Sequence, residues 1–241
     1  MKRTLCLWVT SILLLITISC RKKILVCTGN CAEVIIAGYV LDKGKNIVIA
    51  NQPITVQLYQ NQYCIFCSKY NLGSTTTNQQ GYFKLPIILD TSLLKNHHLV
   101  ISTPQPKNTI QYCEPSGPGI VPKANQYASY SFYTLDTNQL NNLQFNFYSK
   151  TLLTVELHRR GSYANNTPYI GIETTMDGKT SVWGLDFRAS NIDTALTYHT
   201  AINQFTKLVV SFKKDTSSPF QSIKDSVYCT ANGVNRLTIT Y

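Results

Sequence analysis

Cysteine is the residue type in this 241-residue chain with most capacity for chemistry. Six of its eight cysteines lie beyond residue 20: Cys27, Cys31, Cys64, Cys67, Cys113 and Cys229. In an oxidising compartment an even set of this kind favours disulfides. Two other readings share the spacing. Cys27-x3-Cys31 with Cys64-x2-Cys67 could hold one zinc ion through four sulfurs, and Cys64-Ile65-Phe66-Cys67 could work as a redox pair. A redox pair needs a helix amino terminus to lower a thiol pKa, whereas these residues fall between two expected strands. Disulfides are the expectation for the six, with the pairing open; no metal site is expected.

The other reactive side chains do not converge. His97-His98 opens an expected strand, where neighbours face opposite sides. His158 beside Arg159-Arg160 reads as a solvated strand end, and nothing in the sequence singles out His199 as a base. Glu156, Glu173 and Asp186 could supply the opposed carboxylates of a glycosidase, but nothing in their spacing selects them. The chain has no Gly-x-Ser-x-Gly elbow, no His-Glu-x-x-His helix and no phosphate loop. No cofactor is expected, and the balance falls against an enzyme. Tyr127, Tyr130, Phe132 and Tyr133 are the densest aromatic group. Tyr130 shares strand parity with Phe132, and Tyr127 with Tyr133, so alternation into the core is favoured over a binding face.

These residues need elements to position them, and the composition points to strands. Hydrophobic residues make up 44% of the chain and charged residues only 14%, with fifteen tyrosines and many Thr, Asn and Val. The formal net charge is +10, or +8 from Cys20 onward once Lys2 and Arg3 are left out. Apart from Arg21-Lys22-Lys23 the positive charges are dispersed. They read as solvated surface, and a nucleic-acid partner is not expected.

Lys2 and Arg3 precede an apolar stretch from Leu5 to Ile18 broken by Thr10, Ser11 and Thr17. That is the pattern of a secretory signal, short of the ~20 apolar residues that span a bilayer. Thr17-Ile18-Ser19-Cys20 resembles the lipobox of bacterial lipoproteins, in the relaxed form of Bacteroidetes, with Thr17 standing where Leu is usual. The resemblance implies that residues 1–19 are removed and Cys20 is lipidated. Each buried acyl methylene would contribute about 0.8 kcal/mol, and Arg21, Lys22 and Lys23 about 1 kcal/mol each near anionic headgroups. The acidic run that follows the cysteine in many surface-exported Bacteroidetes lipoproteins is not present, so the expected address is the outer membrane, facing the periplasm. Asp193-Thr194-Ala195 and Asp225-Ser226-Val227 resemble the O-glycosylation motif of the same bacteria.

Residues 20–32 read as a tether. Val34–Asp42, Pro53–Gln60, Leu72–Thr77, Tyr82–Leu85 and His98–Ser102 read as strands, with turns at 43–46 and 78–81. Gly38-x-Val40-x-Asp42, Pro53-Ile54-x-Val56-x-Leu58 and Thr77-Asn78-x-x-Gly81-x-Phe83 resemble the carboxypeptidase-regulatory-like, or transthyretin-like, β-sandwich, with Asn78 where that family often has Asp. The resemblance covers residues 34–102 and implies an accessory module without common chemistry. Residues 103–126 read as a long loop; Tyr127–Leu135 and Leu143–Tyr148 follow as strands, with a boundary at Lys150. Strands at 151–158, 169–174, 181–187, 207–212 and 237–241 suggest another sandwich; 190–201 reads as a loop or one helical turn.

The reading is an all-β chain: an antiparallel transthyretin- or Ig-like sandwich over 33–150, then a second β-sandwich-like domain over 151–241. Its expected role is that of a non-enzymatic, membrane-tethered module that binds or scaffolds an envelope protein or glycan. The alternatives are a carbohydrate- or peptide-binding lipoprotein of an outer-membrane uptake system, and an envelope hydrolase with an unrecognised site.

Overall fold

The structure is a computed structural model that describes residues 27, 29–61, 69–116, 127–158, 170–185, 194–212 and 217–240. Residues 1–19, Cys20, the tether apart from Cys27 and 29–32, Cys64, Cys67 and Asp186 lie outside the described residues.

The first half holds β1 (Cys31–Asp42), β2 (Ile47–Val48), β3 (Pro53–Gln60), β4 (Lys69–Thr76), β5 (Tyr82–Asp90), β6 (His97–Pro104), β7 (Thr109–Ile110), β8 (Glu114–Ser116) and β9 (Tyr127–Phe132). A 3-10 turn, Thr91–Lys95, and the one-turn helix α1, Thr137–Leu140, interrupt them. β10 then runs without a break from Leu143 to His158. The second half adds β11 (Ile170–Met176), β12 (Lys179–Leu185), β13 (Thr194–Ala201), β14 (Gln204–Phe212), β15 (Gln221–Cys229) and β16 (Asn235–Thr240).

The chain is all-β and forms two sandwiches. In the first, β1 lies between β5 and the front half of β10, and that sheet faces a second sheet in the order β4-β3-β6-β9. Alternate residues of both sheets meet in one core, including Ile36, Val40, Val56, Leu58, Phe83, Leu99, Ile101, Phe145 and Phe147. In the second, the rear half of β10 lies between β13 and β16, and the facing sheet runs β12-β11-β14-β15. Its core gathers Leu153, Val155, Leu157, Tyr198, Leu208, Val210, Phe212 and Ile239.

With the two-residue β2 and the connecting strands β7 and β8 set aside, the two sandwiches have the same topology. In each, the first strand pairs antiparallel with the fourth (β1 with β5, β10 with β13) and parallel with the last (β1 with β10, β10 with β16). Each second sheet is antiparallel throughout. β10 is therefore the last strand of one sandwich and the first of the next. Period-2 side-chain geometry makes this workable: Leu143, Phe145, Phe147, Leu153, Val155 and Leu157 are all odd-numbered and buried, so one unbroken strand feeds both cores in phase. Lys150, which marks the boundary in the sequence, lies midway along it and is exposed.

The stretch 103–126 carries structure of its own. Its strand β7 pairs with β10 at Tyr148 and Ser149, and β8 pairs with β13 at 197–199, so this connection straps one sandwich to the other. Where a loop or helical turn was expected at 190–201, Thr194–Ala201 is a strand. Nor does β15 announce itself in sequence, because six of its nine residues are exposed on an edge that needs little apolar pattern.

The junction is polar as well as apolar. Asp42, buried at the end of β1, accepts hydrogen bonds from Ser149 N (3.0 Å), Ser149 Oγ and Lys45 N (3.3 Å). The turn that follows is held by Lys43 N to Phe147 O (2.8 Å) and Asn203 Nδ2 to Gly44 O (2.8 Å). Ile110, Cys113, Tyr148, Met176 and Ala201 fill the space beneath. Gly38 is required where β1 meets β10: a Cβ there would stand 2.1 Å from Leu143 O.

Two substitutions test this joint. Gly38→Ala pushes β1 from β10 and is expected to destabilise by about 2–3 kcal/mol. Asp42→Ala leaves the buried Ser149 N–H unpaired and should cost about 1–3 kcal/mol. Urea denaturation of each variant beside the parent chain measures both; parent-like midpoints would contradict the account of the junction.

Candidate functional site

The motif residues are committed to architecture. Asn78 Oδ1 accepts from Gln80 N and Tyr82 N, both at 3.0 Å, and so shapes the turn before β5. Gly81 has φ +68°, and its carbonyl accepts from Val40 N at 3.0 Å. Thr77 Oγ1 accepts from Gln52 N (2.9 Å) and donates to Ile49 O (2.7 Å). With Gly38 and Asp42 spent at the junction, the resemblance motif describes how a sandwich closes. It supplies no reactive group.

The cysteines divide by position. Cys27 and Cys31 are bonded to each other across 5.9 Å between Cα atoms, closing a small ring at the start of β1. That ring is pinned to the sandwich: Thr91 N donates to Asn30 O at 3.0 Å. The Asp90 carboxyl is held below the usual carboxylate range by Ser92 Oγ and Ser92 N, with Gly29 N adding to the effect. Cys113 and Cys229 are free thiols buried at the junction and in the second core, and burial pushes both upward in pKa. Among the described residues no group of three His, Cys, Asp or Glu gathers to hold a metal ion.

The histidines divide between the sandwiches: His97 and His98 lie on β6 of the first, His158 and His199 on β10 and β13 of the second. Glu156 is bonded to Arg236 (3.4 Å) and accepts from Thr238 Oγ1 (3.2 Å); Glu173 lies on β11, in the opposite sheet. These positions do not form an opposed carboxylate pair.

The side chains that do converge are aromatic and lie on the outer face of the β4-β3-β6-β9 sheet. His98 lies between Tyr59 (ring centroids 6.0 Å apart) and Tyr133 (5.0 Å), both rings stacked on it. Its Nδ1 meets Asn61 Oδ1 at 2.8 Å. Burial, then the neighbouring His97 charge, hold the His98 imidazole below its usual range. Beside the stack, Gln57, Lys69, Ser102, Tyr127 and Ser129 line a depression of about 370 Å³. Tyr127 is 57% exposed and Tyr133 62%, while Tyr130 packs edge-on against Phe145 in the opposite sense. The parity read from sequence thus separates these rings, and the outward pair is a surface feature. The stack itself was missed. Tyr59 and His98 are 39 positions apart and become neighbours only through the β3–β6 register.

A second depression, about 400 Å³, adjoins the first across the edge of β9 and shares Tyr127 and Ser129 with it. Gln144, Asn146 and the β11–β12 tip, Asp177 and Lys179, form its other wall. That tip is a two-residue turn at Asp177-Gly178, with φ +49° and +71°. Asp177 accepts a hydrogen bond from the Tyr148 hydroxyl of β10; burial, with the carboxylate adding, raises the phenol's pKa. Asn146 Oδ1 is buried in this wall and accepts no hydrogen bond among the described residues. The paired depressions offer flat rings, hydroxyls and amides, with Lys69, Lys179 and Asp177 at their walls, a chemistry suited to polar ligands.

No protein-family model matches the chain, and no curated protein matches its sequence. Solved structures overlap it weakly. The shaft pilin SpaA of Lactobacillus rhamnosus GG aligns over 87% of this chain and 97% of its own, at 8% identity and a TM-score of 0.30. The Bacillus anthracis TIE protein aligns over 87% and 34%, at 9% identity and 0.31. A streptococcal ancillary pilin aligns over 86% and 62%, at 7% identity and 0.30. This chain thus spans about a third of the second and under two thirds of the third. Overlaps this slight say nothing of function, and the assignment to an all-β sandwich fold stands on the chain's own strand pairing.

Proposed function

We propose that this chain is a non-enzymatic envelope lipoprotein, tethered through Cys20 to the outer membrane on its periplasmic side, whose body is a two-sandwich rod that binds or scaffolds a partner. The polarity of β1 carries the reading. Its first residue, Cys31, adjoins the tether, and its last, Asp42, adjoins the second sandwich. Anchorage before Cys31 therefore puts the second sandwich at the far end. From Cys31 to Asp42, then from Phe147, the partner of Asp42, to His158 is about 22 residue steps, or roughly 70 Å at ~3.3 Å each. At the tether end the outer face exposes Ile35 (37%) and Ile88 (67%) beside Glu33, apolar surface that a neighbouring bilayer or partner could cover. The carboxypeptidase-regulatory-like resemblance of the first sandwich fits an accessory module of this kind.

The Tyr59–His98–Tyr133 stack favours one ligand class, a neutral glycan. Sugar rings present C–H faces that lie flat on aromatic rings, and their hydroxyls match the amides and hydroxyls alongside. On this reading the protein is a glycan-binding lipoprotein of the envelope.

Three measurements test these readings. Cys20→Ala should abolish incorporation of a fatty-acid analogue; unchanged labelling overturns the anchor. On a panel of neutral oligosaccharides, Tyr59→Ala and Tyr133→Ala should each weaken the parent's binding about tenfold, or ~1.4 kcal/mol; a parent chain retained by none of them overturns the glycan reading. The His98 imidazole should titrate below its ordinary 6.5 by NMR. Because the unfolded chain then binds the proton more readily, His98's contribution to stability is present above pH 6.5 and is lost as pH falls toward the folded value.

A further inference from the structure

We propose that Cys113 and Cys229 are joined in the mature protein by a disulfide that staples the first sandwich's strap to the last hairpin of the second. Cys113 lies between β7, which is paired to the junction of β10, and β8, which is paired to β13. Cys229 ends β15, and its carbonyl accepts from Asn203 N at 2.7 Å. Both side chains are fully buried. They meet in one polar pocket inside the protein: Cys113 Sγ donates to Thr200 Oγ1 at 3.5 Å, Thr200 and Thr206 share a hydroxyl hydrogen bond, and Thr206 Oγ1 lies 3.7 Å from Cys229 Sγ. The Thr200–Thr206 hydroxyl pair thus stands between the two sulfurs, one hydroxyl against each. Cys27 and Cys31 already have each other, which leaves these two thiols as neighbours without a disulfide partner.

The chemistry balances by exchange with an oxidised dithiol, the class of oxidant found in envelope compartments. One thiol loses its proton and its thiolate attacks the oxidant's S–S bond, giving a mixed disulfide and one oxidant thiol. The second thiolate then displaces the other oxidant sulfur, so that the protein loses two hydrogens and the oxidant gains them as two thiols. Burial fixes the timing. In the finished core both thiols stay protonated and out of reach, so the bond forms while the chain folds, and once made it is shielded from reductants.

The inference rests on export for its oxidant in the cell, whereas the pairing rests on geometry, so two preparations are compared. Protein taken from the envelope and full-length chain refolded in a glutathione redox buffer are each denatured with an alkylating quench, digested and mapped by mass spectrometry without reduction. The Cys27–Cys31 peptide reports oxidation in both. A peptide joining Cys113 to Cys229, two hydrogens lighter than its reduced parts, is expected in both preparations. Where Cys27–Cys31 is oxidised, recovery of Cys113 and Cys229 as alkylated thiols, or linked to Cys64 or Cys67, in both preparations overturns the pairing. Linkage in the refolded chain alone overturns the bond in the mature protein where envelope Cys27–Cys31 is oxidised; where it is reduced, the pairing is upheld and an oxidising address is overturned.

Discussion

The hydrogen bonding of β10 on both its edges is the constraint on which the rest of the structure depends. Its front half is held by β1 and its rear half by β13 and β16, with β7 bonded at the changeover. A flexible linker would have let the two sandwiches turn independently. A strand bonded along its length cannot bend without breaking ladder bonds, so each sandwich sets the direction of the other. Asp42 and Ser149 reinforce the point where the partners change, and Tyr148 ties the same strand to Asp177 of the second sandwich.

Rigidity of this kind fixes how the surface of each sandwich is presented. The depression beside the Tyr59–His98–Tyr133 stack is built on regular strands whose inner faces are locked in a core. The adjoining one is completed by a hairpin tip from the other sandwich. A ligand spanning both would meet a surface already formed, with little ordering cost on binding. The shared topology suggests how such a rod is lengthened: the last strand of one unit runs on as the first of the next.

Much of the first sandwich was legible in local pattern. Pro53–Gln60 alternates so plainly that its bounds agree with the structure, and Asn78 to Gly81 spells a turn. Pro86 sits in β5 because that strand pairs only with β1 among the described residues, leaving an edge where a missing N–H is tolerated. Edge strands such as β15 escaped notice for the complementary reason: little of their surface is buried, so little hydrophobic period is needed. The equivalence of the two halves was equally hidden, since a topology is a set of pairings and places few demands on residue identity.

What the sequence by itself determined is the all-β class, the inward parity of its strands and the turn chemistry, because these depend on neighbours within a few positions. Whether Leu143–Tyr148 and Thr151–His158 are two strands or one, which rings stack on His98, and which thiols flank one threonine pair were decided by tertiary structure. Each of those depends on register between strands distant in the chain, and register is settled only when opposing faces close on a common core.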